Sequence, residues 1–324
     1  MVRKGSLSAS LMVMSMLLLC SMPTGAAPAY PAKPVISIVP FSAGGGNDIL
    51  LRLISKYANK YLGQSLIVEN KPGASGQIGW TALSKARPDG YTIGATSFPS
   101  MLLIKALRPE TAFGHDDFRY ICNIQIDPIV WVVRADGELK TAKDIAEFAK
   151  ANPARLNVAG DGPQSNVQLQ HLLAAKTLGF STNFVPYSGS GPALTALLGG
   201  HVDIAVSTVS ASMPHIESGK LRAVALFHEQ RLDALRDTPT AGEVFGVDIP
   251  GVGTAIRGLA APKGLDSAKV AILEEAIGKI CRSPEFIAEA SSLGIIVRFM
   301  GAAETEDLVR KNYLLVEEYK SLLK

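Results

Sequence analysis

PVISIVPFSAGGGNDILLRLISKYANKYL, residues 34–62, reads as a short apolar strand, a glycine-rich turn and an amphipathic helix. Val35, Ile36, Ile38 and Val39 suit a buried strand. Asn47 and Asp48 are good helix N-cap types, and Leu50, Leu53, Ile54, Tyr57 and Tyr61 behind them recur at helical spacing. A helix start carries unpaired N–H groups and the positive end of the helix dipole. The small residues Ser42, Ala43, Gly44, Gly45 and Gly46 leave those amides open to an anion. This unit is therefore expected to form half of a carboxylate-binding cleft.

The same unit recurs downstream. Leu66–Val68 is a strand followed by the turn Gly73-Ala74-Ser75-Gly76, a helix to about Ala86, and a strand at Tyr91–Ala95 closed by Thr96 and Ser97. Ser100–Leu107 reads as a helix. Strand–helix alternation of this kind implies parallel strands with helices on both faces. ICNIQIDPIVWVVR, residues 121–134, breaks the rhythm with two β segments divided at Asp127-Pro128, and marks a crossing into a second lobe. There Thr141–Lys150 is a helix. Asn157–Ala159 leads through Gly160–Asn166 into a helix at Val167–Leu178, and Asn183–Pro186 leads through Tyr187-Ser188-Gly189 into another ending at Gly199-Gly200. Val202–Val206 and Ala223–Phe227 are strands, with a helix at Ser210–Glu217 between them. Thr254–Ala261 returns the chain. Helices follow at Asp266–Cys281, Pro284–Leu293 and Glu304–Leu323, the last with Leu308, Val309, Tyr313, Val316 and Tyr319 suited to docking on a core.

The start of the chain reads as a secretory signal. Arg3 and Lys4 precede an apolar run at Leu11–Leu19, and Ala27-Pro28-Ala29 fits a cleavage site, giving residues 1–29 as a leader. A lipid anchor on Cys20 is disfavoured by the bulky Leu19 before it. Removing Arg3 and Lys4 leaves 30 basic against 29 acidic residues, a net charge of +1 with no long basic run, which argues against a nucleic-acid partner. About 295 mature residues are long for one core and suit two lobes. They are placed at 30–122 plus 256–324 and at 123–255. An oxidising compartment permits a disulfide between Cys122 and Cys281, and two buried free thiols are the equal alternative.

Other chemistries lack their residues. The five histidines are scattered, with no Cys-x-x-Cys or His-Glu-x-x-His, so neither a metal nor a cofactor is expected. Gly44-Gly45-Gly46 has no Gly-Lys-Ser/Thr after it, and Gly73-Ala74-Ser75-Gly76 is followed by Gln77 where a nucleophile elbow needs glycine. Arg52, Arg87 and Arg134 fit solvated or structural roles. The ordinary structural readings stand beside the functional ones: a βα turn at Gly44–Asp48, helix–sheet packing at Gly73–Gly76, and capping by Asp48, Ser165 and Asn166. Tyr187 can be core, and Asp203 can fix a loop.

The runs PFSAGGGNDILLRL, GQSLIVENKPGASGQIG, ARPDGYTI, VPYSGSGPALTALLGGHVDIAVS, SGKLRAVALF, DTPTAGEVFG and GLAAPKGL, in that order, resemble the Bug family of periplasmic solute-binding proteins. These are receptors of tripartite tricarboxylate transporters. The resemblance implies an α/β, two-lobed, type II periplasmic-binding-protein-like fold, and a monomer that binds a small organic carboxylate between its lobes for membrane permease subunits, without chemistry. It implies ligand contacts from Ser42–Asp48, Gly73–Gly76 and Ser97 in the first lobe. In the second lobe they fall on Gln164, Ser165, Asn166, Tyr187, Ser188, Gly189, Asp203 and Ser207. The chain departs from the family pattern at Ser188, where a lysine is usual, and in the turn Gly162–Asn166. The carboxylate is expected to be held by backbone amides, hydroxyls and water rather than by arginine. Reporting to a membrane sensor kinase, or an exported α/β enzyme, are the alternatives.

Overall fold

The computed structural model describes Met1 and residues 30–324; the expected leader and Cys20 lie outside the described residues. In chain order, the first part contains β1 (Val35–Val39), α1 (Gly46–Leu62), β2 (Leu66–Asn70), α2 (Gln77–Ser84), β3 (Thr92–Phe98), α3 (Ser100–Leu107) and β4 (Phe118–Asp127). The middle contains β5 (Ile129–Arg134), α4 (Ala142–Ala151), β6 (Asn157–Gly160), α5 (Asn166–Leu178), β7 (Asn183–Pro186), α6 (Ser190–Leu198), β8 (Ile204–Thr208), α7 (Val209–Glu217), β9 (Leu221–Phe227) and α8 (Ala241–Phe245). The chain ends with β10 (Ala255–Pro262), α9 (Ser267–Arg282), α10 (Pro284–Ser292), β11 (Ile296–Met300) and α11 (Ala302–Tyr319).

Two sheets result, ordered β11-β4-β10-β3-β1-β2 and β7-β6-β8-β5-β9. In each, three parallel strands lie against an antiparallel strand that arrives from the other lobe: β10 beside β3, and β5 beside β8. The two lobes thus repeat one plan. β4 remains in the first sheet to Asp127, where it pairs with Ala255 of β10, so the first crossing lies at Pro128 rather than after Cys122. A charged residue and a proline at the end of an apolar strand, rather than its middle, mark the change of sheet.

The first core joins β1, α1, β3, α3, β4, β10 and α9 through Val35, Leu51, Ile54, Phe98, Leu103, Ile121, Leu259 and Leu273. The second sheet is covered on both faces, by Trp131, Val158 and Phe227 on one side and by Val130, Leu194 and Leu197 on the other. Buried faces on both sides explain the unbroken apolar run at 129–133. Ile36 is an exception in β1, exposed on the outer face. α11 docks through Thr305, Val309, Asn312 and Val316, while Tyr313 is 44% exposed, so two polar residues take part of the stripe expected of apolar ones. β11 and α8 were not expected; both are five residues long, and the irregular register of β11 on β4 weakens any alternation. Cys122 and Cys281 are buried free thiols, and burial pushes the Cys281 thiol up to about 12.

Candidate functional site

The turns that follow the parallel strands meet along one seam between the lobes, as ligand sites of open α/β sheets do at the carboxyl ends of strands. Ser42 Oγ lies 2.9 Å from Ser188 Oγ. Ser75 Oγ donates to the Pro163 carbonyl at 2.5 Å. Ser100 Oγ donates to Asn166 Oδ1 at 2.8 Å and accepts from the Asn166 N–H at 3.2 Å. Arg108 Nε donates to Gln164 Oε1 at 2.7 Å, and its Nη1 to the Ala74 carbonyl at 3.2 Å. A Cβ on Gly189 would stand 3.1 Å from the Ser42 nitrogen, and one on Gly191 would strike the Ala43 carbonyl oxygen. Main chain approaches main chain there because glycine leaves the space empty.

The first-lobe half is built from backbone. Gly45 is the N-cap of α1 and supplies no side-chain cap, so helix entry falls one residue before Asn47. The Asp48 carboxylate reaches back to accept from the Gly44 N–H at 3.0 Å, and is held by Arg52 at 2.9 Å and Asn70 at 3.0 Å. Asp48 thus shapes the loop and spends its charge away from the seam. Ser75 stands at φ 59° after Gly73 at φ 132°, a left-handed turn that turns its hydroxyl towards the second lobe. Ser97 is buried in β3 opposite Arg257 of β10.

The second-lobe half is built from side chains. Ser165 caps α5, accepting from the Gln168 N–H at 3.3 Å. Asn166 adds a bond from Nδ2 to the Gly253 carbonyl at 2.7 Å, tying α5 to the returning crossing. Tyr187 packs on the second core and its N–H donates to the Gly160 carbonyl at 2.9 Å. Ser207 is fully buried with its hydroxyl unpartnered. Asp203 departs from the expected set. It precedes β8, at the opposite end of that strand from Ser207, and accepts from the Asn157 N–H at 2.7 Å at the start of β6. The two are four positions apart, roughly 13 Å of extended chain, so Asp203 braces the far ends of β6 and β8.

Beneath the seam lies a charged floor. Arg257, 4% exposed, pairs with the fully buried Asp127 and donates from Nη2 to Thr208 Oγ1 at 3.2 Å. The Ser210 N–H and hydroxyl donate to the same carboxylate at 3.0 and 2.5 Å, which docks the start of α7 on it. The guanidinium lies against Gly46, where a Cβ would stand 2.5 Å from Nη1. Asp161, at the end of β6, is 7% exposed; burial raises its pKa against the lowering influence of the Ser165 hydroxyl, Arg257 and the Ser190 hydroxyl. A Cβ on Gly45 would stand 4.0 Å from the Ser190 nitrogen, so the starts of α1 and α6 face each other. The starts of α1, α5, α6 and α7 therefore share one small region, an arrangement that attracts an anion.

Arg257, Asp127, Asp161 and Arg108 are not among the contacts expected from the sequence. A signal existed: Asp127 and Arg257 are opposite charges set in otherwise apolar crossing strands, and buried charges pair. Arg257 also qualifies the expectation that arginine is not involved, since it stands at the floor with its charge committed to Asp127. Among the described residues no group of three or more His, Cys, Asp or Glu is placed to hold a metal, and no helix is long and apolar enough to cross a membrane.

A family model described as "Tripartite tricarboxylate transporter family receptor" matches residues 50–315. The UPF0065 protein in the gbd 5' region of Cupriavidus necator is 32% identical over 308 residues, 93% of this chain and 92% of the relative. The structure of the periplasmic binding protein BugD is similar with a TM-score of 0.82 at 28% identity, covering 91% of this chain and all of that one. MatC from Rhodopseudomonas palustris with bound malate has a TM-score of 0.80 at 27% identity, with the same coverage.

Proposed function

From the chain's membership of the tripartite tricarboxylate transporter receptor family, which Bug proteins share, we propose that it captures one small organic acid in the periplasm and hands it, as a monomer, to the membrane permease subunits of such a transporter. The family consists of periplasmic carboxylate-binding receptors. The observation that carries the reading for this chain is the meeting of four helix starts at a glycine-lined seam between two lobes. Amides at Gly46, Asn47 and Asp48 have no carbonyl one turn earlier to bond, and supply donors to a carboxylate. The two crossings, at Pro128 and before Ala255, form the hinge, and closure of the seam is what a permease would read. The acid leaves unchanged, without turnover.

The test is thermal unfolding of the mature chain with a panel of dicarboxylates, tricarboxylates, aromatic acids and amino acids. Malate is a natural first member because MatC binds it. A true ligand raises Tm with its concentration over Kd, by about 2.7 kcal/mol of stability at a hundredfold excess over Kd. A panel without effect overturns the reading. Mass spectrometry of the molecule recovered after release checks that it is unaltered.

A further inference from the structure

The floor under the seam holds more acid than base. Asp127 and Asp161 are both buried, and Arg257 is committed to Asp127, Gln125 and Thr208. Asp161 forms no ion pair among the described residues, and its Oδ1 has no hydrogen-bond partner. Arg108, at the rim, spends its donors on Gln164, Gln77 and the carbonyls of Ala74 and Pro163. Across the seam, Asn47 on the first turn of α1 is also buried, and its Oδ1 is a second acceptor without a partner. A buried carboxylate that lacks a cation is costly, and the cost falls when a positive group arrives with its own N–H donors. The Ser165 hydroxyl, the charge of Arg257 and the Ser190 hydroxyl lower the Asp161 pKa but do not reverse the effect of burial.

We propose that the acid held in this seam is an amino carboxylate whose ammonium group pairs with Asp161 while its carboxylate faces the helix starts. The inference rests on the carboxylate-receptor reading and narrows it. A plain dicarboxylate would place a second anion beside Asp161, whereas the ammonium satisfies Oδ1 and restores neutrality to the floor. A site whose buried group is left unpaired rejects the analogue that lacks the donor far more strongly than a site that loses only apolar contact.

Isothermal titration with matched pairs decides the matter: succinate against L-aspartate, glutarate against L-glutamate, adipate against L-2-aminoadipate, and 4-methylpentanoate against L-leucine. The expected result is an amino member that binds at least about tenfold tighter than its des-amino twin. In Asp161→Asn the amino member weakens until the pair is level. Asp161→Ser provides the same comparison if the first variant does not fold, and the wild-type ratio stands without either. A des-amino twin that binds as well or better, or a ratio that survives substitution of Asp161, overturns the inference while the receptor reading stands. Silence of every acid, tricarboxylic and aromatic ones included, overturns the receptor reading and the inference with it.

Discussion

The two sides of the seam solve the same problem with different material. In the first lobe, the loop before α1 is Ser42-Ala43-Gly44-Gly45-Gly46, its cap is a glycine, and its one acid, Asp48, turns back to hold the loop. In the second lobe, the turn before α5 is capped by Ser165, and Asn166 ties the helix to Ser100 and Gly253. One side offers bare amides to whatever anion lies there; the other fixes its geometry with side chains and adds Asp161. On the proposed reading, recognition of the carboxylate class is thus separable from choice among acids, and the choice is assigned to the second lobe.

The largest effect is expected where both sides share a floor. Arg257→Met leaves Asp127 buried without its cation and should cost about 3–5 kcal/mol in urea unfolding. Replacing Asp127 by Leu in the same chain should recover part of that loss, because the orphaned charge is then gone. A single variant as stable as wild type would show that the buried ion pair between β4 and β10 does not hold the floor together.

Acid should weaken the second lobe more than the first. His171 on α5 is buried against Trp131, and burial lowers its pKa to about 4 from 6.5. The folded state therefore keeps it neutral, and its contribution is complete above pH 6.5. It is lost as pH falls towards 4, to a total of about 3 kcal/mol. Denaturant titrations of wild type and His171→Gln should diverge above that window and converge within it; parallel curves would contradict the burial.

Gly191→Ala tests the close approach of the lobes. Its methyl group would strike the Ala43 carbonyl only across the seam, and alanine suits a helix better than glycine. Unliganded Tm should hold or rise, and affinity for the acid with the greatest thermal shift should fall at least about tenfold, roughly 1.4 kcal/mol. Unchanged affinity would mean that the acid is held without this contact.

The smallest changes exchange the two capping modes. Ser165→Ala should lower stability by about 1 kcal/mol, and Gly45→Ser should raise it by only a few tenths. Gly45→Ser should still weaken acid binding, since a hydroxyl then competes for the amides that face the seam. Differential scanning calorimetry with titration calorimetry separates these outcomes.

Most of the scaffold could be read from local signals. Apolar spacing and glycine punctuation located β1, α1, β6 and α5, and they placed the turns at Ser42, Ser75, Gln164 and Ser188 that meet in space. What escaped depends on contacts distant along the chain. The partner of Arg257 lies 130 residues away, and nothing near Asp161 in sequence tells that β6 ends under α6. Asp203 lies at the far end of β8 from Ser207 because the motif around it covers a whole strand, and only one end of that strand faces the other lobe.

The position of β10 bears on how the chain is made. It is the strand that joins β3 to β4, yet it begins at Ala255, after every strand of the other sheet. A chain emerging from its N-terminus completes the middle lobe while the leading segments wait with an open sheet edge. Those exposed edges are the stage most in need of a holdase. Truncation before Ala255 would therefore disable the lobe synthesised first rather than the one synthesised last.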